Sequence, residues 1–125
     1  MSKNKTIKFY WYPKCSTCRK ARTALTAAGV TFTEIDITEK PPAQADFKRW
    51  LKSGQVELKQ LLNTSGQVYR ELGGAQLLNT KSEAEILKLL AGNGKLVKRP
   101  LITDGESVTV GFRDGAAITK HWAGK

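Results

Sequence analysis

Several residue types that define common classes of protein are scarce in this sequence: it has two cysteines, one histidine and no long apolar run. No run approaches the roughly 18 apolar residues that cross a bilayer, so the sequence predicts no membrane partner and a cytoplasmic location. Both cysteines lie in one C-x-x-C, and so short a loop constrains little of the unfolded chain. In a reducing compartment such a pair indicates redox or metal chemistry.

The single histidine argues against metal. A structural zinc site needs four ligands, and beyond Cys15 and Cys18 the sequence offers His121 alone as a further histidine or cysteine ligand. We therefore predict no metal site, and the pair is left with redox chemistry.

Acidic residues are also few, with 11 against 21 basic residues and a net charge of +10. This balance favours anionic partners such as an oxyanion, glutathione or an acidic protein face. The lysines are scattered, without a run of five or six like charges, which favours solvated helix faces over a nucleic-acid surface. We expect no direct binding of nucleic acid.

The length of 125 residues and the lack of repeats or linkers predict a single domain over 1–125. A β-branched and aromatic segment at 7–11, an apolar helical stripe at 16–28 and a second β-branched segment at 30–37 predict a βαβ unit with parallel strands. Tyr10, Trp11 and Tyr12 could form a substrate-facing wall, but the favoured interpretation is strand residues that pack on the core, because aromatic residues favour strands.

A largely helical segment follows at about 43–92. Phe47, Trp50 and Leu51 mark one helix face, and Leu58, Leu61 and Leu62 mark another that is followed by a loop at 63–66. Ser82 and Glu85 have the spacing of a capping box at the start of a further helix. Short strands at 100–103 and 107–110 flank an Asp-Gly hairpin turn, and 114–122 is predicted to be the last helix. This order predicts an α/β, thioredoxin-like fold of the glutaredoxin type. Its mixed four-stranded sheet has a helical insertion between the second and third strands.

The C-x-x-C falls where the first helix begins, which favours a reactive thiol. The N–H groups and partial positive charge of a helix N-terminus stabilise a thiolate, and Lys14 and Arg19 add positive charge nearby. Cys15, nearer the helix tip, is predicted to be the nucleophile. Cys18 is then placed to resolve a mixed disulfide or other adduct.

The sequence resembles the arsenate reductase (ArsC) and Spx family, of the glutaredoxin-linked type. The likeness extends over about 7–122. The segments that carry it are YPKCSTCRKA at 12–21, YREL at 69–72, LVKRPLI at 96–102 and VGFR at 110–113.

The resemblance implies roles for a second group of residues. It assigns to Pro100 the cis proline that faces the active cysteine, and to Arg99 and Arg113 the binding of an oxyanion or a charged cysteine adduct. Guanidinium suits this task because it is always charged and meets oxyanions through paired hydrogen bonds. It also implies glutathione, glutaredoxin or thioredoxin as electron donor, with no bound cofactor.

Two positions depart from the members that reduce arsenate. Those enzymes carry a third arginine where this sequence has Asn63, which can donate a hydrogen bond but brings no charge. They commonly use one catalytic cysteine, whereas this chain adds Cys18. Both departures weaken the prediction that arsenate is the substrate.

Three functions stay open at this point. The first is a reductase or thiol-disulfide oxidoreductase that acts on a small oxyanion or a disulfide. The second is a redox-sensing regulator resembling Spx, which binds RNA polymerase, and the third is a family member without turnover. We expect a monomer in each case.

Overall fold

Four short strands form one mixed sheet in the order β2-β1-β3-β4. The computed structural model describes residues 6–112 and 115–123. Strands β1 (Lys8–Trp11) and β2 (Thr33–Asp36) pair in parallel, while β3 (Leu101–Thr103) is antiparallel to both β1 and β4 (Val108–Val110). This is the predicted thioredoxin-like arrangement, with the helical insertion between the second and third strands.

Helix α1 (Ser16–Ala27) follows β1 and carries the second cysteine of the C-x-x-C. Its apolar stripe faces inward, because Cys18, Ala21 and Leu25 are all buried. Gly29 ends the helix in the left-handed conformation (φ +78°), where glycine is favoured, and the Val30 N–H closes back on the Leu25 carbonyl at 3.0 Å. The predicted helix is confirmed to within one residue.

The insertion is broken into several short helices. These are α2 (Gln44–Ser53), α3 (Leu58–Leu61), α4 (Gln67–Glu71), α5 (Leu77–Thr80) and α6 (Glu83–Gly92), with 3-10 turns at Gly74–Gln76 and Gly94–Leu96. The capping box is confirmed, since Ser82 Oγ accepts the Glu85 N–H at 3.2 Å and Glu85 Oε1 accepts the Ser82 N–H at 2.8 Å.

Alternate residues of the strands bury the two faces of the sheet separately. Tyr10 and Leu101 pack with the helices of the insertion. Phe9 and Ile102 pack with α1 and with α7 (Gly115–Trp122), whose Trp122 is buried. The site described below lies at the junction of these layers, where β1 passes into α1. No helix in the described part of the chain is long and apolar enough to span a membrane.

Element ends differ from the prediction in a few places. Strand β2 is shorter than 30–37, because Val30 still bonds to α1 and Thr33 is the residue whose N–H bonds to the Ile7 carbonyl, at 2.8 Å. Strands β1, β3 and β4 each begin one residue later than predicted. The predicted start of the last helix, Asp114, lies outside the described residues.

The segment before β3 is held close to the end of β2 by one glycine. A Cβ built on Gly94 would lie 1.7 Å from the Ile37 carbonyl oxygen, so only glycine fits there without moving the chain. This contact packs the 3-10 turn Gly94–Leu96 against the sheet. After two intervening residues the chain reaches Arg99 and Pro100, the arginine and proline of the predicted site.

Candidate functional site

Cys15 occupies the N-cap position of helix α1. Its backbone is extended (φ −92°, ψ 114°), and its Sγ accepts the Cys18 N–H at 3.3 Å, as a capping oxygen would. The Cys15 N–H donates to the Tyr12 carbonyl at 2.9 Å, which fixes the turn between β1 and α1. The sulfur is therefore half-buried at the tip of the helix and points toward its unpaired N–H groups.

The two thiols have opposite acidities. Burial raises the pKa of Cys18 to about 12, and the hydrogen bond to Cys15 adds to the rise. Burial also acts against the Cys15 thiolate, but hydrogen bonds from the Cys18 thiol and N–H, the charge of Arg99 and the Thr17 N–H together lower the pKa of Cys15. Because thiolate is the reactive form, these acidities favour Cys15 as the more reactive thiol, and its role as nucleophile stays a prediction.

Arg99 supplies positive charge to this pair. Its Cζ lies 5.2 Å from the centre of the Tyr12 ring, and its Nη1 donates to the Lys95 carbonyl at 3.4 Å. The charge of Arg99 favours the thiolate form of both Cys15 and Cys18. Among the described cations, it is the one whose charge lowers the pKa of Cys15.

Pro100 follows a cis peptide bond from Arg99, as the family resemblance implied. Pro100 is buried, and its carbonyl accepts the Gly111 N–H at 2.9 Å. This bond joins the start of β3 to the end of β4. The cis proline thus lies directly before β3, and the charge of the preceding residue, Arg99, acts on both thiols.

The two cations beside the cysteines in sequence are arranged differently from Arg99. Arg19 is exposed, and its Nη1 donates to the Pro13 carbonyl at 2.7 Å, so it binds the loop that leads into Cys15. Lys14 is also exposed. Their binding of an anion stays a prediction.

Asn63 and Arg99 both donate a hydrogen bond to the Lys95 carbonyl, so the two side chains lie close together. The Asn63 Nδ2 donates to the Lys95 carbonyl at 3.3 Å, the same oxygen that accepts from Arg99. Its backbone N–H donates to the Leu96 carbonyl at 2.8 Å, and a Cβ on Gly66 would come within 2.6 Å of Nδ2. The fold thus brings Asn63 next to the predicted anion-binding arginine, although its role toward an anion is untested.

Arg113 lies outside the described residues, so its role stays a prediction. Within the described residues, no three His, Cys, Asp or Glu side chains come together as metal ligands would.

Tyr12 is a site residue for which the sequence favoured packing on the core. Trp11 packs at the edge of the core and Tyr10 inside it, as expected, but the Tyr12 ring is half-buried against Arg99. Its position beside Pro13 was the available signal. That signal could not show which distant arginine would reach the ring.

Known proteins resemble this chain over most of its length. A family model described as the ArsC family matches residues 10–118. The chain belongs to the ArsC family. It is 48% identical to Uncharacterized protein YusI of Bacillus subtilis over 118 residues, which cover 94% of this chain and 99% of that protein.

Two further relatives have names that point to different functions. The chain is 30% identical over 108 residues to Global transcriptional regulator Spx 1 of Lactococcus lactis, covering 86% of this chain and 83% of that protein. A crystal structure of a possible arsenate reductase from Streptococcus mutans is 44% identical, with a TM-score of 0.82, and covers 89% and 94% of the two chains. The predicted resemblance to the ArsC and Spx family is confirmed.

Proposed function

We propose that this protein is a thiol-based redox protein that reduces a small oxyanion or a disulfide through Cys15. The observation that carries the proposal is the pairing of unequal thiols at one helix tip. Cys15 is half-buried with a lowered pKa beside Arg99, whereas Cys18 is fully buried with a raised pKa. That inequality separates an attacking sulfur from a sulfur held in reserve.

With a disulfide substrate, the Cys15 thiolate attacks one sulfur, the substrate S–S bond breaks and the first substrate thiolate leaves. Cys18 then loses its proton and attacks Cys15 Sγ, which releases the second substrate thiolate and forms a Cys15–Cys18 disulfide. The substrate gains two electrons and the pair loses two. We propose glutathione, or a dithiol protein of the glutaredoxin or thioredoxin class, as the reductant that restores the pair.

An oxyanion substrate would follow the same order of events. Cys15 displaces a hydroxyl group of the oxyanion, which leaves as water after taking up a proton. Attack of Cys18 or glutathione on Cys15 Sγ then releases the oxyanion reduced by two electrons. Arg99 would stabilise the negative charge of the adduct, because guanidinium presents several N–H donors to oxyanions.

The test is glutathione-coupled turnover with a panel of disulfides and oxyanions, including arsenate. We expect Cys15→Ser to abolish turnover. Cys18→Ser should still form the mixed disulfide with Cys15, visible by mass spectrometry, since the first step does not need Cys18. Absence of turnover by the native protein, or two free thiols after mild peroxide treatment, would contradict the proposal.

A second candidate is a redox-sensing regulator, and the likeness to the regulator Spx 1 favours it. The net charge of +10 suits an acidic face of RNA polymerase, and oxidation of Cys15 and Cys18 would change the binding. Retention by the purified C-terminal domain of the polymerase α subunit, measured with oxidised and reduced protein at low salt, tests this candidate. Absence of retention in both states would remove it, and absence of turnover as well would leave a member without activity.

A further inference from the structure

Tyr12 contacts the site through both its main chain and its ring. The Tyr12 carbonyl accepts the Cys15 N–H at 2.9 Å, and the Tyr12 backbone also hydrogen-bonds to the Cys18 thiol. Its ring faces Arg99, whose Cζ lies 5.2 Å from the ring centre. One residue therefore joins the two cysteines to the cation that acts on them.

Arg99 has few other contacts that could hold it there. Its Nη1 reaches the Lys95 carbonyl at 3.4 Å, which is longer than the usual range of about 2.7–3.2 Å for an N–H···O bond. No carboxylate among the described residues pairs with Arg99. A guanidinium within about 6 Å of a tyrosine ring centre is attracted by the ring's negative face, so the ring supplies the better-formed contact.

We propose that Tyr12 is a positioning residue, whose ring holds the Arg99 guanidinium beside Cys15. The inference deepens the proposed function and rests on it, because it assumes that Cys15 is the working nucleophile. A ring contact leaves the charge of Arg99 uncompensated, whereas a carboxylate would cancel it. It also leaves most of the five N–H donors of the guanidinium available to an anionic substrate or adduct.

The consequence concerns the groups that set the acidity of Cys15. Beyond burial, these are the Cys18 thiol and N–H, the Thr17 N–H and Arg99. Loss of the Tyr12 ring removes none of them, but it frees Arg99 to move away from the sulfur. The midpoint of the Cys15 titration should then move to higher pH.

The experiment measures the rate of iodoacetamide alkylation of Cys15 against pH in the reduced, full-length protein, with the label located by mass spectrometry. At a fixed pH well below the midpoint of the native protein, we expect Tyr12→Leu to lower the rate roughly two- to fivefold, the worth of one exposed cation-π contact. Tyr12→Phe keeps the ring and should restore the native rate and midpoint.

A double-mutant comparison separates positioning from general packing. In an Arg99→Gln background, Tyr12→Leu should cause no further loss, because there is no cation left to hold. An equal loss in both backgrounds, or a Tyr12→Phe rate as low as that of Tyr12→Leu, would overturn the inference. Tyr12→Met replaces Tyr12→Leu if thermal melting shows that the leucine variant does not fold.

Alkylation requires no substrate, donor or partner. A protein that fails to reduce any compound in the panel would contradict the proposed function and still report whether Tyr12 holds Arg99. Conversely, turnover with unchanged alkylation in Tyr12→Leu would leave the proposed function intact and reject the positioning role. The two failures are therefore distinguishable.

Discussion

Trp11, the last residue of β1, and Tyr12, which follows it, each have an arginine guanidinium near the ring. The two arginines differ in whether a carboxylate among the described residues pairs with them. The Arg22 Cζ lies 5.4 Å from the Trp11 ring centre, and the Arg99 Cζ lies 5.2 Å from that of Tyr12. Arg22 Nε also donates to Glu34 Oε2 at 3.0 Å. Arg99 donates to a neutral carbonyl instead.

The difference lies in what each contact does with the cation's charge. Glu34 compensates Arg22, so that pair ties α1 to the edge strand β2 across an exposed surface. Arg99 keeps its charge, and that charge acts on both cysteines. An arginine on an aromatic ring can therefore serve to join two elements, as Arg22 does with Glu34, or to lower the pKa of a nearby thiol, as Arg99 does.

The largest expected effect is a loss of stability at alkaline pH. It comes mainly from Cys18, one of the two thiols on which Arg99 acts. The pKa of Cys18 rises from its ordinary 9.0 to about 12 on folding, mainly through burial. The folded state therefore holds a proton that the unfolded state loses, so the contribution of Cys18 is present below pH 9.0 and is lost as pH rises to about 12. Cys15, whose pKa is lowered from 9.0, acts in the opposite direction: its contribution is complete above pH 9.0 and is lost as pH falls through its folded pKa, so it adds nothing to the alkaline loss.

Chemical denaturation at several pH values between 9 and 12 measures this loss. We expect Cys18→Ala to reduce the slope of the free energy of unfolding against pH, whatever its effect at neutral pH. Tyr10, whose pKa is raised by burial and by Asp46, contributes to the same loss and remains in the variant. A slope identical to that of the native protein would show that Cys18 is not protonated in the folded state.

The second prediction removes each arginine in turn. Arg99→Gln should lower the alkylation rate of Cys15 about tenfold at a pH below the titration midpoint, because loss of the nearby cation raises the pKa of the thiol. Arg22→Gln is the matched control, because it removes a guanidinium from the neighbouring ring. It should leave the rate at the native value, and equal losses in the two variants would refute the distinction between the pairs.

The smallest expected effect comes from making the two pairs alike. Glu34→Gln removes the carboxylate that pairs with Arg22, so that among the described residues neither arginine would have a carboxylate partner. The pair is largely exposed, so we expect the free energy of unfolding to fall by about 0.2–1 kcal/mol, measured by urea denaturation. The rate of Cys15 alkylation should not change, since Arg22 is not among the groups that shift the pKa of that thiol. A changed rate would show that the Arg22–Trp11 contact is coupled to the Arg99–Tyr12 contact.

Local signals predicted the elements of the fold well. The stripe of Ala21 and Leu25, the capping box at Ser82 and the Asp-Gly turn all depend on residues within a few positions of one another. The loop that follows Leu58–Leu61 was predicted, but the division of the next segment into Gln67–Glu71 and Leu77–Thr80 was not, because helices this short depend on packing more than on their own propensity. The shorter β2 has a similar origin, since α1 retains the Val30 N–H.

The sequence by itself determined the family and the place of the candidate site in the fold. A C-x-x-C after a strand and before a helix, with Arg99 and Pro100 in a matching block, was enough to identify the family and to predict Cys15 as the nucleophile. These features are local residue identities and spacings. They can be recognised without knowledge of the tertiary packing.

Only the tertiary structure decided how the parts act on one another. The burial of Cys18, the ring of Tyr12 over Arg99 and the sharing of the Lys95 carbonyl with Asn63 all join segments far apart in sequence. Desolvation and Coulomb interactions depend on distance in space and on access of water, neither of which a linear spacing contains. The tertiary structure therefore set the unequal acidities of the two thiols.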